Sequence, residues 1–540
     1  MQCDTICLMF AFKPSSIPLG RNMRFFHVTL ARSLGILLLA AATGAAATQP
    51  RSTSPGLLEP DKSWVSRTLK RLSLRDKVAQ LIAVRVNGRF LHRRSPESLE
   101  IQNEIRRNNV GGVILFAGNI YESAVLLNEL QAASRLPLLV SADFERGAAF
   151  RIADATSFPW TMALGAAGSE ELAYQEGAIT AREARALGVH WIYAPVMDVN
   201  NNPDNPVINI RSFGEDPRLV ARLGAAFIRG ARDNGVLTTA KHFPGHGDTA
   251  ADTHIGLAVI PADRARLDSI ELVPFRAAIE AGVDSIMTAH VAVPQVTGEP
   301  GLPATLSPRI LTDLLCDSLQ HSGLIVTDAM EMGGITTRYW TGLAAIRAIQ
   351  AGADMVLLPP DATVAINEVA RAVERGDIAE SRINRSVEKV LAAKTRLGLQ
   401  RRRTVPLDRI QDIIASPESQ QLAQSMADRS ITLIKDDHRL LPFNPIRPPK
   451  IFSLVLASDV DPAPAAIFQA ELRRRFPSAR GAAMDPRTPE DQASRILTNA
   501  ADADIVVCAT LVRVISGKGN VALPENQRRV IDMLLARQKP

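Results

Sequence analysis

The chain has 540 residues, of which 46% are hydrophobic and 22% carry a charged side chain. This composition is typical of a folded protein with a large core, and it excludes a disordered or fibrous chain. The formal net charge is +6, but residues 1–47 supply half of it. The remainder is too close to neutral to indicate nucleic acid or an acidic membrane surface as a partner.

The N-terminus has the pattern of a secretory signal peptide. Three arginines precede a short apolar run at residues 34–42, and the small residues Ala45–Ala47 follow it. We therefore predict a cleaved signal over residues 1–47, with Met23 as an alternative start, and export to the periplasm or the exterior. The run is shorter than the ~20 apolar residues of a membrane span. We expect no stable membrane insertion after cleavage, with an uncleaved anchor as the alternative.

Between about residues 60 and 400, eight short apolar runs alternate with stretches long enough for a helix. Their apolarity is continuous, which indicates buried parallel strands. Eight such units predict an α/β fold, a (β/α)8 barrel of the TIM type, and a doubly wound sheet with insertions is the alternative. The predicted strands are Leu81–Arg85, Gly112–Phe116, Leu138–Asp143, Trp191–Asp198, Leu237–His242, Ser285–His290, Leu324–Asp328 and Asp354–Leu358.

A smaller second region is predicted after the barrel. A basic helix at Arg382–Leu397 is followed by a linker at residues 401–429, which includes a connecting helix at Glu418–Met426. Residues 430–540 then predict a second α/β domain of the sandwich type. Because the chain stops directly after a helix, we expect this domain to be incomplete. Its predicted strands are Ile431–Ile434, Ile451–Leu456 and Ile505–Ala509, and its predicted helices are Ala465–Arg475 and Glu525–Arg537.

Polar side chains fall at or just after the carboxyl ends of the predicted strands. In a (β/α)8 barrel those ends and the loops after them build the active site. A random scatter of polar residues would not coincide with the strand ends in this way. The residues concerned are Asp143, Glu145, Asp198, Lys241, His242, His290 and Asp328.

The segment Lys241–His254 contains three histidines, two aspartates and a lysine within 14 residues. Gly245 and Gly247 indicate an irregular loop in place of a helix. Within this loop Asp252 and His254 are close enough in sequence to form a hydrogen bond. A carboxylate on one ring nitrogen fixes the tautomer and raises the basicity of the other nitrogen. The pair therefore predicts an acid/base histidine.

Asp328 ends a predicted buried strand, where its backbone is held rigidly. Such a carboxylate can act as a nucleophile at a sugar anomeric carbon, or it can cap the helix that follows. The residue alone leaves both roles open. Glu331, three residues later, is interpreted as a solvated helix residue and not as a second catalytic carboxylate.

Several ordered motifs together resemble glycoside hydrolase family 3, specifically its bacterial β-N-acetylhexosaminidase branch, which includes enzymes of peptidoglycan recycling. The resemblance covers about residues 65–400 and continues more weakly beyond them. Single motifs would be weak evidence, whereas eight in the family's order are strong. They are Gly111–Phe116, Asp143–Glu145, Ala194–Val199, Asn205–Ile208, Arg211–Pro217, Lys241–His254, Met287–His290 and Thr327–Met330.

The resemblance implies a retaining enzyme that removes terminal β-linked N-acetylglucosamine from cell-wall or chitin-type oligosaccharides, with no cofactor and no metal. It implies that Asp328 is the nucleophile and that His254, oriented by Asp252, is the acid/base. A histidine in place of the usual second carboxylate is compatible with this chemistry, because Asp252 supports its protonated form. The implied substrate-binding residues are Asp143, Arg151, Arg211, Lys241, His242 and His290.

The sequence departs from the family pattern at Arg146, where the family usually has glycine. This bulky side chain either alters specificity or points away from the sugar. Within the family, β-glucosidase activity and phosphorolytic cleavage of N-acetylglucosaminides remain open. A non-catalytic sugar-binding protein is a more remote alternative.

A metal-dependent hydrolase is the other remote alternative, because the chain offers enough nitrogen and oxygen ligands for Zn²⁺. The H-E-x-x-H arrangement of helical zinc sites is absent from the loop. The ligands that this alternative would use are His242, His246, Asp248, Asp252, His254 and His290.

Overall fold

The computed structural model describes residues 56–437, 439–444, 448–512 and 522–536. The predicted signal peptide at residues 1–47 and the alternative start at Met23 lie outside these ranges. The described chain has a mixed α/β fold in which the sheets are parallel. Among the described helices, none combines the length and apolar composition needed to cross a membrane.

All eight predicted strands of the first region are present, although most have shifted ends. Three further two-residue strands, β4, β7 and β9, lie in the connections. The strands are β1 Ile82–Gly88, β2 Gly112–Asn119, β3 Leu139–Ala142, β4 Ile152–Ala153, β5 Trp191–Ile192, β6 Thr239–Phe243, β7 Ala258–Val259, β8 Ser285–Thr288, β9 Val291–Ala292, β10 Leu324–Val326 and β11 Val356–Leu357.

The main strands form two parallel sheets that follow the chain order. One sheet has the order β11-β1-β2-β3-β5 and the other β10-β8-β6. Parallel bridges between Trp191 and Leu237 and between Val326 and Met355 lie where the two sheets approach each other. The result is a curled parallel layer that brings the carboxyl ends of these strands to one side.

The strand predicted at Trp191–Asp198 is much shorter than expected. Only Trp191–Ile192 pairs as a regular strand, and Val196 keeps an isolated bridge to Lys241. Pro195 lies between them, and proline has no N–H to donate to a ladder. Trp191 itself is buried, and its indole N–H contacts the hydroxyls of Thr239 at 2.7 Å and Ser285 at 2.9 Å.

Helices cover the outside of this layer. Their starts follow capping rules: Ser169 accepts a hydrogen bond from the N–H of Leu172, and Asp361 accepts one from Val364. The helices are α1 Lys62–Arg71, α2 Leu74–Ala79, α3 Pro96–Asn103, α4 Ile120–Ala133, α5 Thr161–Ala167, α6 Glu170–Leu187, α7 Pro217–Asp233, α8 Arg264–Ser269, α9 Leu272–Glu280, α10 Pro294–Thr297, α11 Gly333–Thr336, α12 Thr341–Ala351, α13 Ala362–Glu374, α14 Glu380–Arg396 and α15 Pro417–Ser430.

A third parallel sheet, with the order β13-β12-β14, follows α15. Two hydrophobic clusters of its own pack around β12. The strands predicted at Ile451–Leu456 and Ile505–Ala509 are present here. The elements are β12 Ile451–Ala457, α16 Ala463–Arg475, β13 Arg480–Met484, α17 Glu490–Ala500, β14 Ile505–Leu511 and α18 Glu525–Ala536.

The prediction of a strand at Ile431–Ile434 is wrong. These residues follow the end of α15 without forming a strand, and the side chain of Ile434 is 72% exposed. Three of the four residues are apolar, which predicts a buried strand, yet no neighbouring strand pairs with them among the described residues. Strand β13 was missed because Arg480–Met484 contains no β-branched or aromatic residue.

Candidate active site

The predicted site residues come together at the carboxyl ends of the strands. Asp143 follows β3, Lys241 and His242 lie in β6, His290 follows β8, and Asp328 follows β10 by two residues. Neighbouring parallel strands therefore deliver these side chains to one edge of the curled layer.

Asp143 sits between two cations. Its Oδ1 lies 2.8 Å from Lys241 Nζ, and its Oδ2 accepts a hydrogen bond from Arg151 Nη2 at 2.6 Å. Burial acts to raise the pKa of the Asp143 carboxyl, but the charges of Lys241 and Arg151 outweigh burial and lower the pKa to about 2. The carboxylate is thus held ionised and oriented.

Glu145 joins Lys241 to Arg211. Its carboxylate lies 2.7 Å from Lys241 Nζ and accepts two hydrogen bonds from the Arg211 guanidinium, at 2.9 and 2.7 Å. The pKa of Glu145 lies well below its ordinary value, because Arg211 and Lys241 outweigh the effect of burial. Sequence reasoning noted Glu145 at a strand end but gave it no role.

Asp198 organises the start of the histidine-rich loop. Its side chain is fully buried, its Oδ2 accepts a hydrogen bond from His242 Nδ1 at 2.7 Å, and its Oδ1 accepts one from the N–H of His246 at 2.7 Å. Because Asp198 occupies Nδ1, His242 presents Nε2 toward Arg211, 3.5 Å from Nη2. This positioning role of Asp198 was also missed.

His246 and Asp248 have structural contacts. The His246 ring lies between the hydroxyls of Thr249, 3.0 Å from Nδ1, and Thr253, 2.9 Å from Nε2. Burial lowers the pKa of His246 to about 4, so the ring is neutral at physiological pH. Asp248 pairs with Arg266 at 3.1 Å. Among the described residues, no three His, Cys, Asp or Glu side chains are grouped to hold a metal ion.

Asp252 and His254 are in direct contact further along the loop. Asp252 Oδ1 lies 2.8 Å from His254 Nδ1 and also accepts a hydrogen bond from the His254 N–H at 2.9 Å. The Asp252 side chain is buried, whereas that of His254 is 35% exposed. The carboxylate occupies Nδ1, which leaves Nε2 as the nitrogen able to exchange a proton with a bound molecule.

Asp328 is not a helix cap. Its Oδ1 accepts a hydrogen bond from the N–H of Ala329 at 2.7 Å, and the next helix, α11, begins only at Gly333, with Met332 as the preceding residue. Burial acts to raise the pKa of Asp328, but the electrostatic effects of His242 and His290 lower it below its ordinary value. The carboxylate is therefore ionised at neutral pH.

His290 supports the backbone beside Asp328. Its Nε2 lies 3.0 Å from the carbonyl oxygen of Ala329, and its Nδ1 lies 2.8 Å from the Thr305 hydroxyl. Burial lowers the pKa of His290, and Nε2 is within donating distance of the carbonyl. His290 thus contacts the chain that carries Asp328.

Backbone hydrogen bonds connect the loop of His254 to the loop of Asp328. The N–H of Gly333 donates to the carbonyl of His254 at 3.2 Å, and the N–H of Gly334 donates to that of Thr253 at 3.1 Å. The two loops are therefore held side by side.

Arg146 makes its hydrogen bonds outside the cation and carboxylate network. Its Nη1 donates to the Ser157 hydroxyl at 2.6 Å and to the carbonyl of Phe158 at 3.2 Å. Its guanidinium lies 4.7 Å from the ring centre of Trp160.

Glu331 pairs with Arg85 at the rim, and its side chain is 43% exposed. The prediction of a solvated position agrees with this exposure, but the predicted helix is wrong, because Glu331 lies in a turn before α11.

Comparison with known proteins gives consistent results. Residues 73–393 match the glycosyl hydrolase family 3 N terminal domain. A β-N-acetylglucosaminidase/β-glucosidase of Cellulomonas fimi is 32% identical over 409 residues, which are 74% of this chain and 71% of that protein.

Two solved structures are similar over most of the chain. A family 3 β-N-acetylglucosaminidase from a Paenibacillus species has 35% identity and a TM-score of 0.72, covering 81% of this chain and 85% of that one. A β-glucoside phosphorylase has 28% identity and a TM-score of 0.77, covering 86% and 84%. The family predicted from the ordered motifs is confirmed: the chain belongs to glycoside hydrolase family 3.

Proposed function

We propose that this protein is a retaining β-N-acetylhexosaminidase that removes terminal β-linked N-acetylglucosamine. One observation carries the proposal: the Asp252–His254 pair lies on a loop hydrogen-bonded to the loop that follows Asp328. These contacts support a mechanism in which a proton-transfer group acts together with an ionised carboxylate, as retaining glycoside hydrolysis requires. The β-N-acetylglucosaminidase activities of the Cellulomonas and Paenibacillus relatives support N-acetylglucosamine as the sugar.

We further infer that residues 60–400 form a (β/α)8-type barrel. In support, the two parallel sheets and the bridges between them follow one ring order, β1-β2-β3-β5-β6-β8-β10-β11, and β11 pairs with β1. Residues 401–429 then serve as the connection to a second α/β domain at residues 430–540. On this arrangement every proposed catalytic group belongs to the barrel.

In the first chemical step, a carboxylate oxygen of Asp328 attacks the anomeric carbon while the bond to the leaving oxygen breaks. Protonated His254 donates its Nε2 proton to that oxygen, and the aglycone leaves as an alcohol. The product is a glycosyl ester of Asp328 and a neutral imidazole. The lowered pKa of Asp328 keeps the nucleophile ionised for this step.

In the second step, neutral His254 takes a proton from water as the water oxygen attacks the anomeric carbon. The ester bond to Asp328 breaks, the sugar leaves with retained configuration, and both residues return to their starting protonation states. Asp252 stays an acceptor of the Nδ1 proton throughout and keeps the ring oriented.

The sugar would be held by the network around Lys241. Asp143 and Glu145 offer acceptors, and Arg151 and Arg211 offer planar donor forks for hydroxyl and N-acetyl oxygens. His242 presents Nε2 to the same region. In this scheme His290 holds the Ala329 carbonyl beside Asp328.

Asp328→Asn tests the nucleophile, because the amide fills the same space but cannot form the ester. We expect turnover of an aryl β-N-acetylglucosaminide to fall by at least about 10³-fold. Glu331→Gln, close in sequence but paired with Arg85 at the rim, is the control and should retain activity. Turnover by Asp328→Asn within tenfold of the parent enzyme would reject the proposed nucleophile.

His254→Ala tests the acid/base role separately. Without a proton donor, aglycones that leave poorly should be cleaved about 10²–10⁴-fold more slowly, whereas activated aryl aglycones should retain much of their first-step rate. Burst kinetics on the activated substrate would then show the accumulated glycosyl-enzyme. Equal losses for both classes of aglycone would contradict the assignment.

Phosphorolysis is a second candidate, favoured by the similarity to a β-glucoside phosphorylase structure. In that reaction phosphate replaces water in the second step, and the product is a sugar 1-phosphate. Product analysis with and without phosphate distinguishes the two reactions. We propose hydrolysis of cell-wall or chitin-type oligosaccharides by an exported enzyme, so free sugar should be the product in both conditions.

A further inference from the structure

A cavity of about 500 Å³ lies on the opposite side of the strands from the candidate active site. It is lined by the C-terminal ends of α6 and α14 and by parts of residues 402–413. His190, which directly precedes β5, also lines it, so the cavity is at the amino ends of the strands. Its volume is in the range of small-molecule sites, ~300–1,000 Å³.

Arginines dominate the polar lining of this cavity. Arg396 pairs with Asp284 at 2.9 Å, Arg409 with Asp412 at 2.8 Å, and Arg182 with Glu418 at 3.6 Å. Arg403 donates to the carbonyl of Ser134 at 3.1 Å. The two that remain, Arg185 and Arg402, pair with no carboxylate in the described part of the chain.

Arg185 has a buried nitrogen, Nη1, without a hydrogen-bond partner in the described part of the chain. Burial, reinforced by the charge of Arg402, lowers the pKa of Arg185 below its ordinary value. A partly buried guanidinium whose buried nitrogen has no partner is unfavourable unless an anion accompanies it.

The residues outside the described ranges offer almost no negative charge that could pair with Arg185. Residues 1–55, 438, 445–447, 513–521 and 537–540 lie outside the described ranges and contain a single acidic residue, Asp4. They are otherwise neutral or basic. The missing negative charge is therefore best supplied by a bound molecule.

We propose that this cavity binds a phosphate monoester with an apolar substituent, through the guanidinium groups of Arg185 and Arg402. Guanidinium forks match phosphoryl oxygens in geometry and charge. The remaining lining is largely apolar and includes Leu58, Val405 and Ile410, which can contact the substituent. This site is independent of the proposed glycosidase reaction.

Phenyl phosphate is the probe, and isothermal titration calorimetry of the full chain is the measurement. We expect saturable binding of phenyl phosphate, with inorganic phosphate weaker and phenol weaker still. Arg402→Gln should weaken phenyl phosphate binding about tenfold, because it removes one of two charge-assisted contacts. Arg375→Gln, whose side chain pairs with Asp377 outside the cavity lining, is the matched control.

A second variant, Arg402→Glu, tests the site by thermal unfolding in the absence of any ligand. Arg402 is exposed, so Arg402→Glu should fold and place a carboxylate near Arg185. We expect its thermal midpoint to rise above that of the parent protein and its phenyl phosphate binding to disappear. Turnover of the N-acetylglucosaminide should be unchanged in both Arg402 variants.

Three outcomes would overturn the site: no saturable binding of phenyl phosphate, binding unaffected by Arg402→Gln, or binding abolished by Arg151→Gln. The last would place the phosphate in the cationic active-site cleft. Asp328→Asn should bind phenyl phosphate like the parent protein, so a failure of the proposed glycosidase function is visible separately.

Discussion

Glu145 is the residue through which the charges of the candidate site are balanced. Among the residues that the structure describes, it alone contacts both Lys241 and Arg211, and it is almost completely buried. Glu145→Gln keeps the shape and removes the charge. We expect kcat/KM for an N-acetylglucosaminide to fall tenfold or more, because breaking a buried charge pair costs about 2–5 kcal/mol.

Steady-state kinetics of Glu145→Gln beside the parent enzyme checks this expectation. Gln in place of Glu331, which pairs with Arg85 at the exposed rim, is the control. If the two variants were equally active, the contacts of Glu145 would have no role in catalysis or sugar binding.

Glu176 is a buried carboxyl whose protonation should affect stability. Burial, only partly offset by Arg146, raises its pKa from 4.5 to about 8. A carboxyl with a raised folded pKa binds protons more strongly in the folded state. Its neutral form is therefore compatible with folding below pH 4.5, and the free energy of unfolding falls as the pH rises from 4.5 to about 8.

Glu176→Gln removes this pH dependence, since the amide does not ionise. We expect its thermal midpoint to exceed that of the parent protein at pH 8 and to differ little at pH 5. Glu171→Gln, at an exposed position of the same helix, should show no such difference between the two pH values. A midpoint gain for Glu176→Gln that is equal at both pH values would contradict the mechanism.

Sequence alone could reveal contacts between residues that are close together in the chain. Asp252 and His254 are two residues apart, so chain geometry brings them together without knowledge of the fold. Asp198 and His242 are 44 residues apart, and their contact depends on how β5 and β6 lie side by side. Glu145 is missed for the same reason, since both of its partners come from distant segments.

At the scale of elements, Gly333 determines how closely two loops approach. A Cβ at this position would lie 2.3 Å from the carbonyl oxygen of Ile255 and 2.9 Å from that of His254. Gly333→Ala should push the His254 loop away from Asp328. We expect kcat to fall by up to about 10²-fold, as displacements near 1 Å can cause.

Gly256→Ala provides a matched control on the same loop, because a Cβ there meets no atom within 4 Å. Kinetics of both variants, with thermal midpoints to confirm folding, decides the question. Equal kcat values for the two alanine variants would show that the Gly333 contact does not position His254.

The strands of the first region were predictable because each is a short, continuously apolar run, as buried parallel strands are. Their ends were less predictable, since Pro195 stops the pairing of β5 without changing the apolar pattern. Beyond residue 430, short apolar runs no longer predict every strand: one such run is not a strand, and one strand is not such a run. Ile431–Ile434 is mostly apolar without being a strand, and β13 is a strand without a β-branched or aromatic residue.

At the scale of the whole molecule, α15 links the first region to the third sheet. Met426 in this helix is fully buried in a cluster that includes Phe158 and Leu172. Met426→Ala removes this packing and should lower the free energy of unfolding by about 2–5 kcal/mol. Thermal unfolding should show a lower midpoint, with kcat unchanged well below the transition.

Met533→Ala in α18 is the comparison, because that side chain is 49% exposed. Its midpoint should lie close to that of the parent protein. A similar loss for both methionine variants would indicate that α15 does not contribute through burial of Met426.

The histidine-rich loop is built in two halves with separate supports. Asp198 anchors the inner half, which carries the proposed sugar-binding residues, whereas the outer half exposes Ala250, Ala251 and Ile255 around His254. Substitutions at these exposed positions can therefore accumulate while the inner half keeps its geometry. Leaving-group preference can diverge among descendants of this protein, or be selected in the laboratory, at little cost to recognition of the sugar itself.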